Sequence, residues 1–371
     1  MLEAKRDRVT RDEVPTPALV VDASVLDANI SKMASYFANR KTKLRPHFKA
    51  HKCVEIARAQ IAKGSTVGLT CATVRELEVL REAGFPDVLL ANEISTQDKA
   101  ERVANVARDI SVKVAVDSRR QIDLLEEACS QVGGECGVLV DINVGLPRCG
   151  IPPSRAPKLA QSVVDSPHLR FEGLMGYEGH CVLLEDPQLR RDNTLAAMDL
   201  LLEAKEAVEA AGIEVRIVSA GGTGTYDITG NLEFVTEIQA GSYVLMDDAY
   251  YKLGLGFERG LYLLCTVISR SSSAIAVADG GLKALSTDHG LPTVLESKEA
   301  KVAFLSDEHA TILAPPDRSE LEEGSKIHLT VTHIDPTINM HDELWVLDGE
   351  KVVDVWPIAA RGYGRRSNGG C

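Results

Sequence analysis

The stretch that decides the fold is residues 67–91, VGLTCATVRELEVLREAGFPDVLLA. It opens with a short β-rich run, 67–71, and closes with another, 88–91. Between them Val74, Leu77, Val79 and Leu80 recur at helical spacing, which gives segment 73–83 a core-facing stripe. Gly84-Phe85-Pro86 then stops the helix, since glycine frees the backbone and proline has no N–H to continue the ladder. This is a strand–helix–strand unit. The pattern repeats through the first two-thirds of the chain, with further strands expected at 18–22, 44–48, 112–116, 138–143, 173–177, 216–219 and 235–238. A second clear helical stripe, Leu195, Met198, Leu201, Leu202 and Val208, lies in segment 193–211. Repeated units of this kind predict an α/β fold with a parallel sheet, open or closed into an eight-stranded barrel. Functional residues should then stand at the C-terminal ends of the strands.

After Tyr251 the texture changes. Runs at 261–268, 274–278, 302–305, 326–332 and 343–347 are mostly β-branched, with polar turns between them, and predict a second, mostly β domain. The tail 365–371 reads as disordered. With 371 residues, 44% hydrophobic and 26% charged, the chain can build a large core and a smaller second one. A net charge of −13 argues against a nucleic-acid partner. The N-terminal stretch has no apolar signal region, and no run approaches the ~18 apolar residues that cross a membrane, so no membrane partner is expected. Eight cysteines are scattered without a C-x-x-C pair, which suits reduced thiols and a cytoplasmic location.

Four segments carry chemistry. In Arg45-Pro46-His47-Phe48-Lys49-Ala50-His51-Lys52 a strand ends in a lysine flanked by cationic groups. A lysine that condenses with an aldehyde must be partly neutral, and both burial and cationic neighbours depress its pKa. Alone, the segment reads first as a basic surface loop. In Ser219-Ala220-Gly221-Gly222-Thr223-Gly224-Thr225-Tyr226, glycines after a strand let backbone N–H groups converge on a phosphate. It is neither a Walker loop nor G-x-G-x-x-G, and a glycine-rich turn alone is more often only a turn. In Asp141-Ile142-Asn143-Val144-Gly145-Leu146-Pro147-Arg148, a strand runs into a turn that presents a guanidinium, suited to a planar anion or simply exposed to water. In Thr332-His333-Ile334-Asp335, a strand would point His333 and Asp335 to one face, where both could ligate one divalent cation. Alone, H-x-D is common and rarely means a metal.

Together and in this order, the four segments resemble the D-threonine aldolase/D-serine dehydratase family, pyridoxal 5′-phosphate (PLP) enzymes of the alanine racemase-like fold. Stretches 16–22, 237–247, 281–288, 305–309 and 356–362 are similar too, so the resemblance spans nearly the whole chain. It implies a (β/α)8 barrel at 25–252 and a mostly β domain at 253–371 completed by the N-terminal segment 1–24. It also implies a homodimer with shared active sites. By resemblance Lys49 is the PLP lysine and Arg148 faces the cofactor ring. Tyr177, Gly221, Gly222, Thr223, Gln239, Gly241, Ser242 and Tyr243 are further cofactor-binding candidates. His333 and Asp335 would hold a divalent metal, Mn²⁺ or Mg²⁺ before Zn²⁺.

Residues 279–285 hold no tyrosine, whereas alanine racemases carry an acid/base tyrosine in the corresponding region. One-faced chemistry on a small D-3-hydroxy amino acid is therefore the expectation. Family members that cleave carbon–carbon bonds show His-x-Asp and D-serine dehydratases His-x-Cys, so Asp335 favours an aldolase giving glycine and an aldehyde. The alternative is a D-serine or D-3-hydroxyaspartate dehydratase giving a keto acid and ammonia; a non-catalytic PLP-binding protein comes third. Residues 175–181, Met-Gly-Tyr-Glu-Gly-His-Cys, depart from the family's usual Ala-Tyr-His-Gly, which leaves the substrate side chain open. His180 either supplies a base near the metal or closes a loop.

Overall fold

The computed structural model describes residues 9–314 and 319–363. The tail read as disordered, 365–371, lies outside the described residues. The chain divides into two compact units, one of residues 33–49 and 57–241, the other of residues up to 32, 50–56 and 242–362.

The first unit is built on eight parallel strands: β2 (Lys43–Leu44), β3 (Leu69–Cys71), β4 (Asp87–Leu90), β5 (Ser111–Val116), β6 (Cys136–Asp141), β7 (Leu169–Gly176), β8 (Ile217–Ala220) and β9 (Glu237–Ile238). They lie in the order β2-β9-β8-β7-β6-β5-β4-β3. Parallel bridges from Leu44 to Thr66 and from His47 to Thr70 tie the first strand to the last, so the sheet closes on itself. Strand β6 is buried along its whole length, as a strand is when barrel interior and outer helices cover both faces. Leu89, Ala115, Leu139 and Met175, one from each of four neighbouring strands, form an interior layer. Between β7 and β6 the register slips at Gly173, where any Cβ would stand 1.9 Å from the Ile217 carbonyl oxygen.

The helices follow the stripes. In α3 (Val74–Glu82) the N-cap Thr73 accepts a bond from the Glu76 N–H, and Val74, Leu77, Val79 and Leu80 are buried. The long helix α7 (Pro187–Ala210) starts earlier than the apolar stripe suggests. Asp186 caps the Gln188 and Leu189 N–H groups, and Pro187 sits at the first helical position, where its missing N–H costs nothing.

A buried ion network crosses the barrel interior. The Arg45 side chain, 3% exposed, donates to Glu237 at 2.8 Å and pairs with Asp87, which also takes Lys113 at 2.6 Å. Burial alone would lower the Arg45 pKa, but the charges of Glu237 and Asp87 outweigh it and raise it.

The second unit centres on β1 (Ala18–Asp22), which lies between antiparallel β10 (Leu261–Ser272) and parallel β15 (Glu343–Asp348). The sheet runs β12-β13-β11-β10-β1-β15-β16, with β14 (Lys326–Thr330) on β10. Strands β11 (Ile275–Ala278), β12 (Lys301–Leu305), β13 (Ala310–Leu313) and β16 (Lys351–Pro357) complete it. Val14, Ala18, Val20, Leu264, Leu347 and Val352 form a core cluster on this sheet.

Arg45→Ala should destabilise the chain by about 3–5 kcal/mol, because Glu237 is left buried without its partner. Denaturant unfolding measures the loss, and a change under about 1 kcal/mol would show that the network carries no weight.

Candidate active site

Sheet order decides which residues meet. Lys49, Gln239 with Gly241, Gly221 to Thr223, Tyr177 and Arg148 follow β2, β9, β8, β7 and β6, which are five consecutive neighbours in the barrel. All therefore stand at the C-terminal rim. The Lys49 segment is fixed from both sides: His47 donates its N–H to the Ala240 carbonyl at 3.0 Å, and the Pro46 carbonyl accepts the Thr70 N–H at 2.8 Å. Lys49 itself is half-buried in the single turn Phe48–Ala50. Gln239 donates from its side chain to Ser219 Oγ at 2.8 Å.

The glycine-rich loop is tightly held. Gly221 takes φ +77°, and a Cβ there would stand 2.8 Å from Ile238 Cδ1. At Gly224 a Cβ would meet the Val182 carbonyl oxygen at 1.8 Å. The Gly222 N–H donates to Thr225 Oγ1 at 3.2 Å.

Arg148 is exposed, with its guanidinium 5.5 Å from the centre of the Tyr177 ring, a cation–π distance. The two residues line one small cleft with Asp141 and Cys149. Behind them Asp141, 5% exposed, has its pKa pushed up to about 8, chiefly by burial and then by Glu93. Glu93, Asp117 and Cys149 bring their donor atoms within 4.8 Å of one another. His180 is exposed, and its ring lies over Gly145: a Cβ on that glycine would stand 2.9 Å from His180 Cε1. Ser242 and Tyr243 open the turn Ser242–Val244, and Tyr243 is fully buried with its ring centre 5.6 Å from that of Phe257.

His333 and Asp335 belong to the second unit, and the expected strand is not there. Strand β14 ends at Thr330; His333 is the N-cap of the short helix α10 (Ile334–Ile338), and Asp335 lies in its first turn. The local reason is capping: the buried Asp247 carboxylate accepts the Ile334 N–H at 3.1 Å, and Thr337 Oγ1 donates to the His333 carbonyl at 2.8 Å. His333 Nδ1 lies 2.6 Å from Asp288 Oδ2, and the His289 ring stacks on His333 at 4.0 Å and 10°. Asp288, His289 and His333 bring ligand atoms within 4.8 Å of one another. Burial and the neighbouring His333 charge lower the His289 pKa, while the charges of Asp288 and Asp335 oppose them. A neutral imidazole keeps its lone pair for a metal. Two imidazoles with carboxylates beside them make a donor set suited to a divalent first-row cation.

Both halves of this arrangement match one group of known proteins. Residues 21–248 match the alanine racemase N-terminal domain, and residues 260–347 the putative serine dehydratase domain. The chain belongs to the D-threonine aldolase/D-serine dehydratase family. It is 35% identical over 363 residues to the 3-hydroxy-D-aspartate aldolase of Paracoccus denitrificans (strain Pd 1222), covering 95% of this chain and 93% of that one. It is 32% identical over 357 residues to the D-threonine aldolase of an Arthrobacter species, covering 95% and 94%. The crystal structure of D-threonine aldolase from Filomicrobium marinum superposes with a TM-score of 0.92 at 35% identity, covering 95% and 97%.

For a member of this family the rim residues fit PLP. A half-buried lysine, a glycine loop that admits no side chain at position 224 and an exposed guanidinium are the group types that an aldehyde, a phosphate and a ring oxygen call for. Three features escape a sequence reading. Asp288-His289 adjoins the family-like stretch 281–288, yet nothing in its spacing links it to His333. The Glu93/Asp117/Asp141/Cys149 group arises only because β4, β5 and β6 are neighbours. The buried Glu178 looks like an ordinary loop carboxylate until its partners are seen.

A carboxyl raised in the folded state holds a proton that the unfolded chain releases. The Asp141 contribution therefore weakens as pH climbs from the ordinary carboxylate range through about 8. Relative to wild type, Asp141→Asn should gain thermal stability steadily between about pH 5 and pH 9. A constant difference across that range would contradict the buried-proton assignment.

Proposed function

We propose that this chain is a PLP- and divalent-metal-dependent lyase that cleaves a D-3-hydroxy amino acid into glycine and an aldehyde. The observation that carries the reading is the adjacency of β2, β9, β8, β7 and β6, which gathers Lys49, Gly221, Gly222, Tyr177 and Arg148 at one rim. Full-length relatives named as aldolases support the lyase class.

PLP, when bound, supplies an electron sink for the pair released from the Cα–Cβ bond. Lys49 would hold its aldehyde carbon. Residues 221–223, with Gln239, Gly241, Ser242, Tyr243 and Tyr177, would form the phosphate side, and Arg148 would face the ring oxygen. His333, with His289 and Asp288 clustered beside it and Asp335 in the first turn of the helix it caps, would hold the metal, which would supply a Lewis acid for the substrate hydroxyl. Asp288 hydrogen-bonds His333 Nδ1 and so would leave the other ring nitrogen, Nε2, for the metal. The carboxylates of this set favour Mn²⁺ or Mg²⁺ over Zn²⁺. His180, exposed beside the Arg148 loop, closes that loop over Gly145.

The substrate reading extends to 3-hydroxy-D-aspartate, given the relative that carries that name. A homodimer with shared sites and a cytoplasmic location complete the proposal; among the described residues no helix is long and apolar enough to cross a membrane.

Incubation with D-threonine, D-serine and D-3-hydroxyaspartate tests the reaction. Glycine plus aldehyde is expected, and keto acid plus ammonia would make the chain a dehydratase instead. Lys49→Ala should lose the visible absorption band of lysine-bound cofactor together with turnover; a retained band would refute the lysine assignment. Asp288→Asn should keep that band and cost about 10–100-fold in metal affinity, read by metal titration of the chelated enzyme. Unchanged affinity would remove Asp288 from the metal site.

A further inference from the structure

Glu178 is a carboxylate that the proposed chemistry does not use. It follows β7 and is fully buried, 0% exposed. Three groups donate to it, all from the segment after β8: the Gly221 N–H at 3.1 Å, Thr225 Oγ1 at 2.7 Å and Thr229 Oγ1 at 2.5 Å. The Gly222 N–H donates in turn to Thr225 Oγ1, so a relay runs from Gly222 through the threonine hydroxyl into the carboxylate. Both leading amides of the glycine-rich loop are thus committed, directly or through Thr225, to one side chain of the neighbouring strand.

The rest of the turn that carries Glu178 presses on the same loop. The Val182 carbonyl oxygen occupies the place of a Cβ on Gly224, and the Tyr177 ring stands 3.3 Å from a Cβ on Gly222. A carboxylate removed from water is stable only when its lone pairs are taken up, and hydrogen bonds to a charged acceptor are the strong ones. Glu178 therefore holds the loop in one conformation more firmly than backbone contacts would. Linked hydrogen bonds also reinforce one another, so the amide, hydroxyl and carboxylate act as a unit.

We infer that Glu178 is the positioning residue of the phosphate loop: by taking up the Gly221 N–H directly and the Gly222 N–H through Thr225 it fixes the course of the loop, and with it the groups that the loop turns toward a phosphate monoester. The inference rests on the PLP reading above. Glu178 touches the loop and acts through it, so its effect should appear in the phosphate part of cofactor affinity, not in the aldehyde or ring part.

The experiment compares PLP with pyridoxal, which lacks the phosphate, by titrating cofactor-free wild type, Glu178→Gln and Glu178→Ala and following absorbance and fluorescence. The measured quantity is the ratio of the pyridoxal Kd to the PLP Kd. Glu178→Ala should shrink that ratio by about tenfold or more, the scale of losing hydrogen bonds to a charged group. Glu178→Gln, which keeps an acceptor but loses the charge, should fall between it and wild type. The phosphorus NMR resonance of bound PLP should shift in both. If Glu178→Ala does not fold, Thr229→Val removes one donor at nearly constant volume and should move the ratio in the same direction.

A ratio within about threefold of wild type in a folded variant, or equal losses for PLP and pyridoxal, would reduce Glu178 to a general structural residue and overturn the inference. Wild-type protein that takes up neither compound would overturn the cofactor reading, and the inference with it.

Discussion

Arg45 governs the geometry of the barrel. Its guanidinium reaches Glu237 on β9 and Asp87 at the start of β4, and Asp87 reaches Lys113 on β5. Two of these contacts join neighbouring strands, β2 to β9 and β4 to β5, and the third reaches from the end of β2 past β3 to β4, where the sheet closes and apolar packing alone would tolerate a slipped register. Desolvating such charges is costly, so the network is weak as a source of stability and strong as a constraint on arrangement. Arg45 lies four residues before Lys49. Whatever fixes the guanidinium therefore also fixes the segment from which the lysine emerges, with His47 hydrogen-bonded to Ala240 on one side and Pro46 to Thr70 on the other.

The rim shows a similar division of labour. Apolar residues inside the strands set the layer in which Leu89, Ala115, Leu139 and Met175 meet. Polar groups just past the strand ends then hold the loops in fixed conformations. In the second unit the same economy of parts appears around His333, whose ring is stacked by His289 and oriented by Asp288, while Asp247 caps the helix it begins. Burial raises the Asp247 pKa to about 6, and only its backbone hydrogen bonds and the nearby His333 charge resist that shift.

Much of this was legible in the sequence because it was local. The strand–helix alternation, the stripe of α3 and the placement of Lys49, Tyr177, Gly221 and Arg148 beyond strand ends all follow from short-range periodicity. The short strand β13 and the last strand, β16, were not read as strands. They are short or only partly buried, and what makes them strands is pairing with partners such as β12 and β15. The H-x-D segment reads as a strand, and the helix found there instead depends on Asp247, remote in sequence, accepting the Ile334 N–H. His289 and Glu178 were illegible for the same reason: their significance lies in partners that only the folded chain supplies.

Strand β1 has a consequence for how the molecule is made. Val20 pairs with Tyr262 on one side and with Trp345 on the other, so the centre of the second sheet is a segment that precedes both of its neighbours in the chain and must wait for them during synthesis. Until then an apolar run, Ala18 to Val21, has both backbone edges bare. Contacts of such long sequence separation form slowly, and an unpaired strand edge is a template for aggregation. Until β10 and β15 have followed it, this segment needs shelter, a role that falls to chaperones.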